Sequence, residues 1–240
     1  MDERWVKIHG KVSSEKPVMI QGFPGVGLIG NIVVHHMIEE LNMELVGTIH
    51  SNVFPPIAIL FRGTVSLPVR IYESKEHSLV TIISDIPVFP DGVYPLASAI
   101  VEWCSNIGVR EVVSVAGVAT VGEECKVYGA ATDEETLKKI SPYVETFEVG
   151  SIAGISGGIV LECYLKNIPA VALLGETRGM NPSPGSAANV VEVINKVYNL
   201  SIDTTRLHEQ AEQIEMEMQR LAEQMRAEAQ KTKREFPIYG

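Results

Sequence analysis

The chain has 240 residues, 45% hydrophobic and 21% charged, with a formal net charge of -10. That length supports one sizeable core without demanding two, and the acidic balance argues against nucleic acid as a partner, because such a chain repels a phosphate backbone. The three cysteines, Cys104, Cys125 and Cys163, are widely spaced and form no CxxC pair, which argues against a disulfide framework or zinc site and fits a reducing, cytoplasmic compartment.

The first residues, Met1-Asp2-Glu3-Arg4-Trp5, are charged and lead into no apolar run, so they do not read as a secretory signal. No apolar run elsewhere is long enough to span a membrane. Val18-Met19-Ile20 reads as a strand. It enters Gly22-Phe23-Pro24-Gly25-Val26-Gly27-Leu28-Ile29-Gly30, which opens a predicted helix over Leu28 to Leu41. Gly25, Gly27 and Gly30 match G-x-G-x-x-G, the turn that brings a backbone close to a pyrophosphate. The acidic residue that should end the next strand is missing near His50-Ser51-Asn52, and no Gly-Lys-Ser/Thr follows. The glycines therefore serve either close helix–sheet packing, the commoner use, or an anion or small ligand.

Further strands are predicted over Glu44 to His50, Ile57 to Phe61, Val69 to Tyr72, Leu79 to Ser84, Glu111 to Val118 and Ala170 to Leu174. Helical patterns fall between them, over Tyr94 to Ile107, Asp133 to Ile140, Ser156 to Lys166 and Ser186 to Tyr198. This alternation predicts an α/β fold with a largely parallel sheet covered on both faces. Val53 to Glu73, with three prolines and no helix, reads as an antiparallel insertion or edge. Asp85, Asp91 and Glu176 each follow a strand, where open α/β sheets gather ligands, so with Gly25, Gly27 and Gly30 they make a candidate crevice. Asp91 also suits a turn or helix cap, and Glu176 also suits a pair with Arg178. The six histidines make no ligand set, and no spacing identifies a catalytic triad, a metal site or a cofactor site.

Residues 1–200 read as the core domain and 201–240 as a helical tail. Asp203 suits a helix start, and no Gly or Pro occurs from there to Arg234. Leu207, Ala211, Ile214, Met218, Leu221 and Met225 are spaced four, three, four, three, four, which is a heptad seam. So narrow a seam opposite a heavily charged face reads as an oligomerisation surface. Its competing use is packing on its own domain. Pro237 stops the helix ahead of Ile238-Tyr239-Gly240.

Three of these segments resemble the archaeal members of the proteasome assembly chaperone family, the group related to proteasome assembly chaperone 2. They are the glycine turn at 22–30, Gly175-Glu176-Thr177 with the loop Asn181 to Gly185, and the helical tail. The resemblance implies a nucleoside-phosphorylase-like core and an ATP-independent, non-enzymatic role. It also implies a homo-oligomer whose partners are 20S proteasome α-subunits and, in some cases, a homologous family member. In that family the hydrophobic-Tyr-any-residue ending inserts between α-ring subunits. Mapped here, Ile238 is the hydrophobic residue, Tyr239 the tyrosine and Gly240 the terminal carboxylate. A nucleotide- or nucleoside-binding enzyme or receptor using the crevice is the competing reading.

Overall fold

Val18–Gly22 is buried along its whole length, as a strand covered on both faces must be. Around it, a computed structural model describes residues 4–61, 63–120, 126–217 and 220. The strands are β1 (Val6–Gly10), β2 (Val18–Gly22), β3 (Glu44–Ser51), β4 (Ile59–Phe61), β5 (Thr64–Ser66), β6 (Val69–Ser74), β7 (Leu79–Ser84), β8 (Glu111–Ala119), β9 (Val127–Ala131), β10 (Glu145–Thr146) and β11 (Ala170–Thr177). The helices are α1 (Ile29–Glu40), α2 (Pro90–Asn106), α3 (Glu134–Ile140), α4 (Gly154–Leu165) and α5 (Pro184–Tyr198), followed by α6 at 205–217.

The main sheet has nine strands in the order β1-β3-β6-β7-β2-β8-β11-β9-β10. Its centre, β7-β2-β8-β11, is parallel, and β10 pairs parallel with β9. The ladders β1-β3, β3-β6, β6-β7 and β11-β9 are antiparallel. The sheet is therefore mixed, which corrects the expectation of a largely parallel one. The physical reason is connection length. Only residues 75–78 join β6 to β7, too few for the crossover that a parallel pair requires.

The proline-rich stretch is antiparallel as expected but does not lie at an edge. β6 sits between β3 and β7, while β4 and β5 form a separate two-stranded sheet. One face of the main sheet packs against α1, α3 and α5 through Val33, Met37, Ile140, Val190 and Ile194. The other packs against α2 and α4 through Leu96, Ile100, Cys104, Ile159 and Cys163. Among the described residues no helix is long and apolar enough to cross a membrane.

The chain switches direction across the sheet at β2. It leaves β2 through α1 on one face to reach β3, steps back inward through β6 to β7 beside β2, and then crosses through α2 on the other face to β8. The carboxyl ends of β2 and β8 thus frame the topological switch point, where open α/β sheets hold ligands.

Candidate functional site

The glycine turn leaves β2 in extended backbone at Gly25 and passes through Val26–Leu28, a single 3-10 turn, into α1. Gly27 has φ 64°, and a side chain there would also press on Thr177 at 3.1 Å. A Cβ on Gly30 would meet the Val115 carbonyl at 2.5 Å, and one on Gly117 would meet the Val26 carbonyl at 2.1 Å. Gly30 and Gly117 let the start of α1 sit directly on β8, which for Gly30 is the packing use that the sequence offered. Gly25 differs, because nothing lies within 4 Å of a Cβ built on it.

The two core segments that carry the resemblance meet at this turn. The Ser183 amide donates to the Gly27 carbonyl at 2.9 Å, which ties the Asn181 to Gly185 loop to the glycine turn. Gly175 of β11 lies against Ile29 of α1. Beside the turn is a crevice of about 430 Å³ at the carboxyl ends of β2, β8 and β11 and the start of α4. Phe23, Gly25, Val26, Gly117, Phe147 and Ser156 are among the residues that line it.

The acidic residues expected there lie elsewhere. Asp85 pairs with Arg70, accepting from Nη2 at 3.0 Å, beside a separate groove near β4 and β5. Asp91, in the first turn of α2, pairs with Arg4 at 3.1 Å and is exposed. Glu176 is buried. It accepts from the Thr120 hydroxyl and, at 3.0 Å, from the Lys126 amide. The Thr120 hydroxyl and the Lys126 amide together hold its carboxyl below the ordinary range. Of the six crevice residues expected from sequence, Gly25 and Gly30 line it, Gly27 supports its wall, and the three carboxylates work elsewhere.

Sequence reading passed over the side chains that do line the crevice. Phe147 and Ser151 to Ala153 lie in a loop with no periodic signal. Ser156 was placed at a helix start that the structure moves to Gly154. Ser156 belongs to a buried relay. Gln21 Nε2 donates to Ser114 Oγ at 2.7 Å and to Ser156 Oγ at 2.9 Å, and Ser114 Oγ donates to the Ser156 carbonyl at 3.2 Å. Among the described residues no group of three or more His, Cys, Asp or Glu could hold a metal.

The base of the tail is anchored. Asp203 accepts the Thr205 amide at 2.9 Å, and His36 Nε2 lies 2.6 Å from the Asp203 carbonyl. Arg206 pairs with Glu39 of α1 at 2.7 Å. Ile202 and Leu207 are buried in the cluster formed by α1 and α5, and Ala211 and Ile214 are half-buried. Met218, Leu221, Met225, Ile238, Tyr239 and Gly240, like Cys125, lie outside the described residues.

Residues 19–222 match the model of the PAC2 family. An uncharacterized protein of Methanocaldococcus jannaschii is 34% identical over 229 residues, covering 95% of each chain. The crystal structure of Pyrococcus furiosus PbaA, an archaeal homolog of proteasome-assembly chaperone, superposes with a TM-score of 0.84 at 33% identity, covering 96% of this chain and 97% of that one. Pyrococcus furiosus PbaB, an archaeal proteasome activator, shares the fold with a TM-score of 0.80 at 24% identity, covering 92% and 100%.

Proposed function

The chain belongs to the PAC2 family, and we propose that it is an ATP-independent proteasome assembly chaperone or activator that docks on the 20S α-ring through Ile238-Tyr239-Gly240. One observation carries this reading: a third of the residues are shared, across nearly the whole chain, with the archaeal proteasome-assembly chaperone homolog PbaA. The likeness to PbaB supports the fold and nothing finer. A non-enzymatic role belongs to this reading, and the engagement of Asp85 with Arg70, of Asp91 with Arg4 and of Glu176 with Thr120 and the Lys126 amide supports it.

The chemistry of the ending suits docking. A tyrosine buries a large ring and keeps a polar tip for one hydrogen bond. A terminal carboxylate pairs with a pocket cation most strongly where water is excluded. One such tail binds weakly, but several carried on a homo-oligomer gain from effective concentration. Partners are the 20S α-subunits, further copies of this chain and, where assembly requires it, a homologous family member. The setting is the cytoplasm.

The test is a native-gel shift of purified archaeal 20S proteasome and of free α-subunits. It compares the intact chain with Tyr239→Ala and with a form lacking residues 238–240. The intact chain is expected to shift at least one of the two targets and both variants to fail. Equal shifts by all three forms would remove the tail from the mechanism. A chain that shifts neither target would sink the proteasome role. Peptide hydrolysis by the shifted particle then separates gate opening from assembly.

A further inference from the structure

α4 is apolar on both sides. From Gly154 to Leu165 its one charged residue is Glu162. Ile155, Ile159 and Cys163 are buried in the cluster that α4 shares with α2 and the sheet, which accounts for one side. Gly157, Val160, Leu161, Tyr164 and Leu165 follow the i, i+3, i+4, i+7, i+8 spacing of a second helix face made for burial. Yet Leu161, Tyr164 and Leu165 are exposed, and no described part of the chain covers them.

The surroundings of this face say what covers it. Tyr164 is 61% exposed and lines both of two neighbouring grooves, as Thr132 does. One groove, of about 410 Å³, is bordered by Phe147, Glu148 and Leu161. The other, of about 470 Å³, is bordered by Leu165, Asn167 and Ile168. Lys166, the C-cap of α4, stands in the chain between Leu165 and Asn167. Neither Glu148 nor Lys166 has an ion-pair partner among the described residues. Asp133 also borders the second groove, but its carboxylate caps α3, accepting from the Thr136 amide at 2.8 Å. An aromatic knob is thus flanked by one hollow with an unpaired acid and another with an unpaired base.

Such a surface is its own complement. We propose that the outward face of α4 is a two-fold contact between copies of this chain, centred on Tyr164. The axis lays Tyr164 of each copy in a groove of the other. It brings Glu148 of one copy to Lys166 of the other, and the reverse, as an isologous contact must. On a molecule of net charge -10 this face also offers an approach little opposed by repulsion. The inference rests on the homo-oligomer of the proposed function and adds the place on the core where copies meet. The base of α6 packs on the other face of the sheet, so this contact and the tail seam can form together.

The test is sedimentation velocity of the full chain over a dilution series at constant salt. Four variants are compared with the parent: Tyr164→Asp, Glu148→Lys, Lys166→Glu and the last two combined. All of them keep the seam and Ile238-Tyr239-Gly240, and the native-gel shift of 20S proteasome is read on the same samples. Tyr164→Asp is expected to halve the mass of the assembly. Glu148→Lys and Lys166→Glu should each raise the concentration at which the mass halves about tenfold, because each creates two like-charge contacts. The combined exchange should return it to within about threefold of the parent. Glu148→Lys is the most telling single change. It lowers the net negative charge, so general repulsion alone would make it associate more tightly.

The contact is overturned if the parent is monomeric throughout the series, if folded Tyr164→Asp keeps the parent mass, or if the combined exchange is no better than its single members. Should Tyr164→Asp not fold, the charge exchange decides alone. Halved mass and rescue by the exchange uphold the contact even if the parent fails to shift the proteasome, and then only the docking reading falls. Parent mass in every variant, with docking intact, sinks the contact and leaves docking standing.

Discussion

Glu73 shows how this protein uses its buried carboxylates. It is 1% exposed and accepts four hydrogen bonds, from the amides and hydroxyls of Ser13 and Ser14, at 2.6 to 3.0 Å. Burial alone would raise its pKa, but these donors outweigh burial and hold it below its ordinary value of 4.5. A carboxylate whose folded pKa is depressed stabilises the fold above its unfolded pKa and loses that contribution as pH falls through the folded value. Glu73→Gln is therefore expected to cost about 1–3 kcal/mol at pH 7, and the gap from the parent should shrink steadily below pH 4.5. Urea unfolding across that range measures it, and a pH-independent gap would contradict the assignment. The thiols make the opposite case. Burial and the nearby Cys163 push Cys104 upward, and burial first, with Glu162 second, pushes Cys163 up to about 12. Neither should react with iodoacetamide at pH 8 in the native protein, and both should react once it is unfolded, as peptide mass mapping will show.

At the scale of elements, most of the helices and central strands were legible because burial imprints a pattern. β7 and β11 are apolar runs between turn signals, and Asp133 caps α3 by accepting the Thr136 amide at 2.8 Å. The start of α2 at Pro90 was missed by four residues, because a helix predicted from Tyr94 puts Pro95 in its first turn, where proline is tolerated, whereas in the structure Pro95 lies inside the helix. Pro90 is well placed in the first turn. Pro95 removes the amide that would have bonded the Asp91 carbonyl, and Arg4 donates to that carbonyl instead. β1 escaped notice because a half-exposed edge strand carries little apolar signal. The candidate site was less legible than the fold. A glycine turn marks itself in sequence, but the destination of each carboxylate depends on Arg4, Arg70 and Thr120, which are remote from Asp91, Asp85 and Glu176 along the chain. The base of the tail is likewise set by tertiary contact. Leu207 is 3% exposed in the core, whereas Met216 is 53% exposed. Leu207→Ala should cost about 2–4 kcal/mol and Met216→Ala no more than about 0.5 kcal/mol. Thermal unfolding of the two variants side by side tests whether α6 is part of the folded core.

For the whole molecule, the anchoring of α6 bears on how tails could be gathered. The Arg206–Glu39 pair, the His36 contact and buried Leu207 set where α6 leaves the core. With its base set, the heptad spacing that continues in sequence through Met218, Leu221 and Met225 makes a partner helix or a groove the question that the tail poses, and the proposed homo-oligomer answers it with a second copy. Each copy carries a net charge of -10, so the proposed association is opposed by repulsion at low salt and should strengthen as salt screens it. Removing residues 218–240 should therefore leave the unfolding temperature of the core within a few degrees of the parent while lowering the mass seen in sedimentation velocity. Removing only residues 238–240 should leave the mass unchanged and abolish docking. That split would assign assembly to the seam and recognition to the tip. If the protein lacking 218–240 sediments like the parent, copies meet through the core instead, and the seam must cover some other surface.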